Sequence, residues 1–182
     1  MKPLWLAFHF PQLLLDYWQV KKGDEHCTVI YDVSSKTVMQ ANEQAYEKGI
    51  RLGDSLATVA YLDETCHLWP YDENKEVQLL HLLAEKVYQH ASDIYLYNSQ
   101  ALVIQASCML RFYQSLEVFC HCLQGMFERF AFTYHFGTGT HKMQALMLAH
   151  GQMNKLVAKE ETLRQLLQAQ SLASMPVFTS EV

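Results

Sequence analysis

Leu4-Trp5-Leu6-Ala7-Phe8-His9-Phe10-Pro11-Gln12-Leu13-Leu14-Leu15-Asp16 decides how the rest of the chain is read. An apolar and aromatic run of this length predicts a strand buried on both faces. Pro11 ends it and suits the first turn of a helix, where its missing N–H would have had no partner. The stretch therefore reads as strand, sharp turn and helix, with Ala7 and His9 two apart and on the same strand face.

Downstream, Lys21 to Glu25 form a charged turn, and strands are predicted at 27–31, 36–40 and 66–69. Between them lie a short helix from Ala41 that stops at Gly49, a turn at Gly53, and a second helix over 56–60 capped by Asp54 or Ser55. The longest helical pattern covers 73–90, with Val77, Leu80, Leu83, Ala84, Val87 and Tyr88 on the expected buried face. A hairpin over 94–97 and 101–104 follows, then a helix over 116–130 and a strand over 132–136. Gly137 to Gly139 read as a tight turn before a helix over 141–150, with a polar helix over 159–170 beyond. These elements predict an α+β fold: a sheet with two long helices on one face, interrupted by a small, mostly helical insertion.

With 182 residues, half of them hydrophobic, the chain is expected to bury one domain core. Its net charge of −5 weighs against strong binding to duplex DNA. No run of 18 apolar residues and no secretory signal pattern is present, so a cytoplasmic protein without a membrane segment is expected. The five cysteines are odd in number and lack a Cys-x-x-Cys pair, so reduced thiols are the default. The spacings of the histidines with Cys120 and Cys122 fit no zinc pattern, and Gly137-x-Gly139 is too short for a dinucleotide site. No metal and no cofactor are expected.

The opening stretch resembles the first motif of the Y-family (translesion) DNA polymerases, where an Asp-x-Asp strand leads into a turn and helix. Ala7 and His9 stand at the two aspartate positions. The likeness is greatest to the catalytically inactive ImuB type, whose chains begin with a similar Leu-Trp-Leu…His-Phe-Pro-Gln-Leu. Ala41-Asn42-x-x-Ala45-x-x-x-Gly49-Ile50-x-x-Gly53 resembles the family's fingers motif. Its triphosphate-binding Tyr and Arg fall on Glu43 and Tyr46, and its steric-gate aromatic falls on Gln12. A carboxylate at 43 would repel a triphosphate. Ile94 to Ile104 is similar to the strand pair that supplies the remaining catalytic acids, which fall on Asn98 and Ser99. The nearest acid in that stretch, Asp93, lies five residues from Asn98, roughly 16 Å along a strand. Leu110-Arg111-Phe112 is similar to a stretch leading into the second palm helix, without its Gly-Gly. Gly137-x-Gly139-Thr140-His141-Lys142-x-x-Ala145 resembles the motif that starts the last palm helix. Glycines before a helix N-terminus suit an anion, which makes Gly139, Thr140 and Lys142 candidates for a phosphate contact with nucleic acid.

The resemblance implies a palm of ferredoxin-like plan. It divides the chain into palm (1–19), fingers-like insertion (20–72), palm again (73–158) and the start of a truncated thumb or tail (159–182), with thumb and little finger absent or truncated. Two-metal phosphoryl transfer needs several carboxylates. Ala7, His9, Asn98 and Ser99 provide none, so no polymerase activity is expected. The implied role is that of an adaptor in bacterial damage-induced mutagenesis. Its implied partners are the RecA-like ImuA, an error-prone DnaE-type polymerase and the sliding clamp, although the clamp peptide lies outside this sequence. DNA binding by this chain alone is expected to be weak and salt-sensitive. The alternatives are an active polymerase with displaced metal ligands and a degenerate palm that binds protein partners only.

Overall fold

The computed structural model describes residues 3–22, 26–157 and 160–169. The predicted opening strand is β1 (Trp5–His9), and the Leu-rich segment after Pro11 is α1 (Leu13–Lys22). β1 lies inside a four-stranded antiparallel sheet of order β5-β6-β1-β7, with β5 at Ile94–Tyr97, β6 at Ala101–Gln105 and β7 at His135–Gly139. Alternation sends Leu6 and Phe8 of β1, with Leu102 and Ile104 of β6, to one face. There they meet Leu79, Leu80, Leu83 and Val87 of α4 (Glu73–Val87) and Phe119, Leu123 and Phe127 of α6 (Leu116–Arg129). The rings of Phe8 and Phe127 meet edge to face at 4.9 Å.

The opposite face carries a second, smaller core. Ala7, Ala101 and Val103 of the sheet pack against Ala145, Leu146 and Ala149 of α7 (Lys142–His150). Small residues on both sides let the helix axis come close. β7 takes this furthest: a Cβ on Gly137 would lie 2.6 Å from Leu148 Cβ, 2.7 Å from Ala149 N and 2.8 Å from Ala145 O. The expected tight turn at Gly137 to Gly139 is therefore wrong. These glycines are strand residues whose missing side chains make room for a helix, and the strand lies over 135–139 rather than 132–136. Gly137→Ala should lower stability by about 2 kcal/mol through overpacking, measured as a drop in the urea midpoint.

The segment between α1 and α4 is a three-stranded sheet of order β3-β2-β4, with β2 at Thr28–Tyr31, β3 at Val38–Ala41 and β4 at His67–Pro70. α2 (Glu43–Glu47) and α3 (Leu56–Leu62) are its only helices among the described residues. The expectation of a mostly helical insertion is corrected here. The individual strands were legible, but they pair with one another into a sheet with a core of its own. Asn42 caps α2 by accepting from Ala45 N, and Ser55 caps α3 by accepting from Thr58 N. The unit is held to α1 by Trp18 and Trp69, stacked at 4.2 Å with planes 5° apart.

Two further expectations shift. On α4 the buried stripe includes Glu76, Leu79, Leu80, Leu83 and Val87, while Val77 and Tyr88 are exposed. A short helix, α5 (Leu110–Tyr113), precedes α6 and was not foreseen. α8 (Glu160–Ala169) packs against α7, and the remainder of the 159–182 segment lies outside the described residues, as do Gly23 to Glu25 of the charged turn. No described helix is long and apolar enough to cross a membrane.

Candidate functional site

The residues singled out in the sequence fall into four places. The first is the α7 face of the sheet. Ala7 is fully buried beneath α7. His9, at the end of the same strand face, stacks on His150 of α7 with ring centroids 3.8 Å apart, and it lies opposite His135 in the β1–β7 register. Burial, followed by the neighbouring His150 and His135, pulls the His9 pKa from its ordinary value to about 3, against a hydrogen bond that the ring donates to the Gln100 side chain. Burial also lowers the pKa values of His135 and His150. The His9 ring is thus a neutral imidazole at neutral pH.

A histidine whose folded pKa lies below its unfolded value leaves the unfolded chain holding more protons in the window between the two. Stability should therefore be full above about pH 6.5 and fall as pH drops toward 3, by up to about 1.4 kcal/mol per unit for His9. Urea titrations at several pH values check this. His9→Phe, which keeps a ring on His150, should flatten the slope.

The second place is the turn between β5 and β6. Asn98 is exposed in the left-handed region at φ 51°, a conformation Asn tolerates. Ser99 turns toward α4 and donates a 2.6 Å hydrogen bond to Glu76. Glu76 is fully buried and also accepts from Tyr71 Oη at 2.7 Å, Gln100 Nε2 at 3.2 Å and Gln40 Nε2 at 3.5 Å. All four donors are neutral. Gln40 in turn accepts from the backbone N–H of Leu15 in the first turn of α1 at 3.2 Å. One carboxylate thus joins α4, the β5–β6 turn, the small sheet and, through Gln40, α1. Sequence reading missed it, because a lone Glu on a helix scores as polar surface. The signal was its spacing, three and four residues before Leu79 and Leu80.

Ala7 and Ser99 therefore do not converge as paired ligands. One is sealed against α7, and the other is bound to a carboxylate of α4. Among the described residues, no group of three or more His, Cys, Asp or Glu side chains is arranged to hold a metal ion.

The third place is a cleft of about 480 Å³ between α1, α2 and the 131–133 segment, where Gln12, Glu43 and Tyr46 meet. Asp16, on its wall, accepts from Thr133 N at 2.6 Å and from Gln12 Nε2 at 2.9 Å, which fixes the α1 side. Among the described residues, two carboxylates, Asp16 and Glu43, and no lysine or arginine line it. Coulomb repulsion makes this lining unfavourable to a polyphosphate.

Gly139, Thr140 and Lys142 sit together at the start of α7. The Thr140 N–H donates to Gln144 Oε1 at 3.1 Å, and a Cβ on Gly139 would meet Ala145 N at 2.7 Å. Lys142 Nζ lies over the rings of Tyr95 (3.2 Å) and Trp5 (4.8 Å), a cation–π arrangement.

No family model and no curated protein matches the chain. Solved structures do. A post-insertion binary complex of Dbh DNA polymerase superposes with a TM-score of 0.74 at 15% identity, over 95% of this chain and 53% of that one. A Y-family DNA polymerase chimera of Dbh gives 0.69 at 14% identity, over 96% and 54%. A DinB-family error-prone DNA polymerase from Sulfolobus solfataricus gives 0.69 at 14% identity, over 97% and 53%. The fold is one found in Y-family DNA polymerases. The chain spans about half the length of the polymerases it matches, and at these identities the likeness concerns the fold.

Proposed function

We propose that this chain is a non-catalytic relative of the Y-family polymerases, an adaptor of the ImuB type in bacterial DNA damage repair and induced mutagenesis. In this reading the β5-β6-β1-β7 sheet with α4 and α6 is a ferredoxin-like palm, and the three-stranded unit stands for the fingers. The observation that supports it most is Ala7. Where the polymerase motif carries a metal-binding acid, this chain has a methyl group with no exposed surface, packed against Ala145, Leu146 and Ala149. His9 and Ser99 add neutral groups, and the cleft at Gln12, Glu43 and Tyr46 has an acidic lining.

Primer extension with Mg²⁺ or Mn²⁺ is the direct test. The purified protein should give no template-dependent incorporation, and any such product would revive the active polymerase. Affinity capture from damage-treated bacterial cells should recover a RecA-like protein and a DnaE-type polymerase, the partners this reading assigns. The engaged Lys142 ammonium and the net charge of −5 favour a variant of this reading in which only proteins are bound. Titration with primer–template DNA across a salt series separates the two. The adaptor should bind weakly at low salt and lose binding steeply, whereas the protein-only module should not bind at any salt.

A further inference from the structure

We propose that Cys27 and Cys66 form a reversible thiol–disulfide site that clamps the small sheet. The two residues immediately precede β2 and β4, which run parallel with Thr28 opposite His67. The ladder begins at the pair itself: His67 N donates to Cys27 O at 2.8 Å. The sulfurs lie 2.8 Å apart as free thiols. A cystine bond is about 2.0 Å long, so closure asks for a movement of less than about 1 Å at strand ends. Both side chains belong to the small core of Val29, Val38, Ile50 and Val59, while His26 and His67 pair their rings at 5.2 Å on the opposite side of the strands. The other thiols are placed differently. Cys120 is buried in the main core, Cys108 is exposed, and Cys122 faces His90 at 3.6 Å.

The oxidant this geometry suits is a low-molecular-weight disulfide such as glutathione disulfide. Cys66 is the more exposed of the pair and attacks first. Its thiolate breaks the glutathione S–S bond, one glutathione leaves as thiolate, and a mixed disulfide forms on Cys66. The Cys27 thiolate then attacks the Cys66 sulfur and expels the second glutathione. Two protein thiols are oxidised, one glutathione disulfide is reduced to two thiols, and the protons released by the cysteines end on glutathione. Burial raises both thiol pKa values, and Asp63, paired with Lys48 at 3.0 Å, adds to this. Below those values each unit of pH multiplies the thiolate by about ten, so oxidation should be slow at pH 7 and accelerate toward pH 9. The cross-link would span 39 positions of chain and fix the sheet against which α2 presents Glu43 and Tyr46 to the cleft.

The test is incubation of the full chain with glutathione disulfide at pH 7, 8 and 9, followed by alkylation and peptide mass mapping. The expected product is a Cys27–Cys66 linked peptide pair lighter by two hydrogens, formed about tenfold faster per pH unit and reversed by dithiothreitol. Cys27→Ser, checked for folding by circular dichroism, should stop at a stable Cys66–glutathione adduct. A wild-type protein in which glutathione stays on Cys66, or settles on Cys108 or Cys122 while Cys27 and Cys66 remain free, would overturn the proposal. That map depends on no variant and is indifferent to any role in mutagenesis.

Discussion

Glu76→Ala should cost on the order of 4 kcal/mol, read as a large fall in the urea midpoint. Truncation removes the acceptor for four groups at once: the hydroxyls of Tyr71 and Ser99 and the amides of Gln100 and Gln40. Each buried donor left without a partner costs about 1–3 kcal/mol. The total falls short of the sum because the half-buried Tyr71 and Ser99 hydroxyls regain solvent. A void on α4 beside Leu79 and Leu80 adds to it. Glu76→Gln keeps the shape and one acceptor oxygen but points an amide N–H₂ at two donors, and should cost about 1–2 kcal/mol. Glu73→Ala, on the exposed side of the same helix turn, should stay within about 0.5 kcal/mol. If Glu76→Ala behaves like Glu73→Ala, the carboxylate is not the joint between the small sheet and the four-stranded sheet.

The same residue marks the limit of what the sequence discloses. Apolar periodicity found α4 and its length, because Leu80, Leu83 and Val87 repeat at helical spacing whatever they pack against. It chose Val77 over Glu76 because a period-based reading ranks side chains by solubility, and four neutral donors from distant segments reverse that ranking. Gly137 and Gly139 were misjudged in a related way. Glycine marks a turn or a close approach, and only the position of α7 distinguishes them. Cap residues such as Ser55 were legible, since the bond to Thr58 N is three residues away. The meeting of Cys27 with Cys66 was not legible, because it depends on β2 and β4 pairing in parallel. Gln12, Glu43 and Tyr46 were grouped only through the polymerase-like motifs, and the structure places all three on one cleft.

Ala7→Asp, which puts an acid where the proposed reading aligns the polymerase motif, should destabilise the protein by at least about 4 kcal/mol at pH 7 rather than create a metal site. The new carboxylate would enter a space lined by Ala101, Val103, Ala145, Leu146 and Ala149, with no exposed surface at position 7. An unpaired buried charge costs several kcal/mol even after relaxation, and the added atoms overpack a helix that already touches the strand. The Asp would answer by holding its proton, so its folded pKa would rise above the unfolded value. The penalty would then be full above the folded pKa and relieved as pH falls through it. Ala7→Val carries the overpacking without the charge and should cost about 2 kcal/mol at every pH. The difference between the two variants at pH 7, and its shrinkage at pH 5, isolates the charge. A stable Ala7→Asp that gains Mn²⁺ affinity would mean that α7 does not close this face, and the inert reading of the site would fall with it.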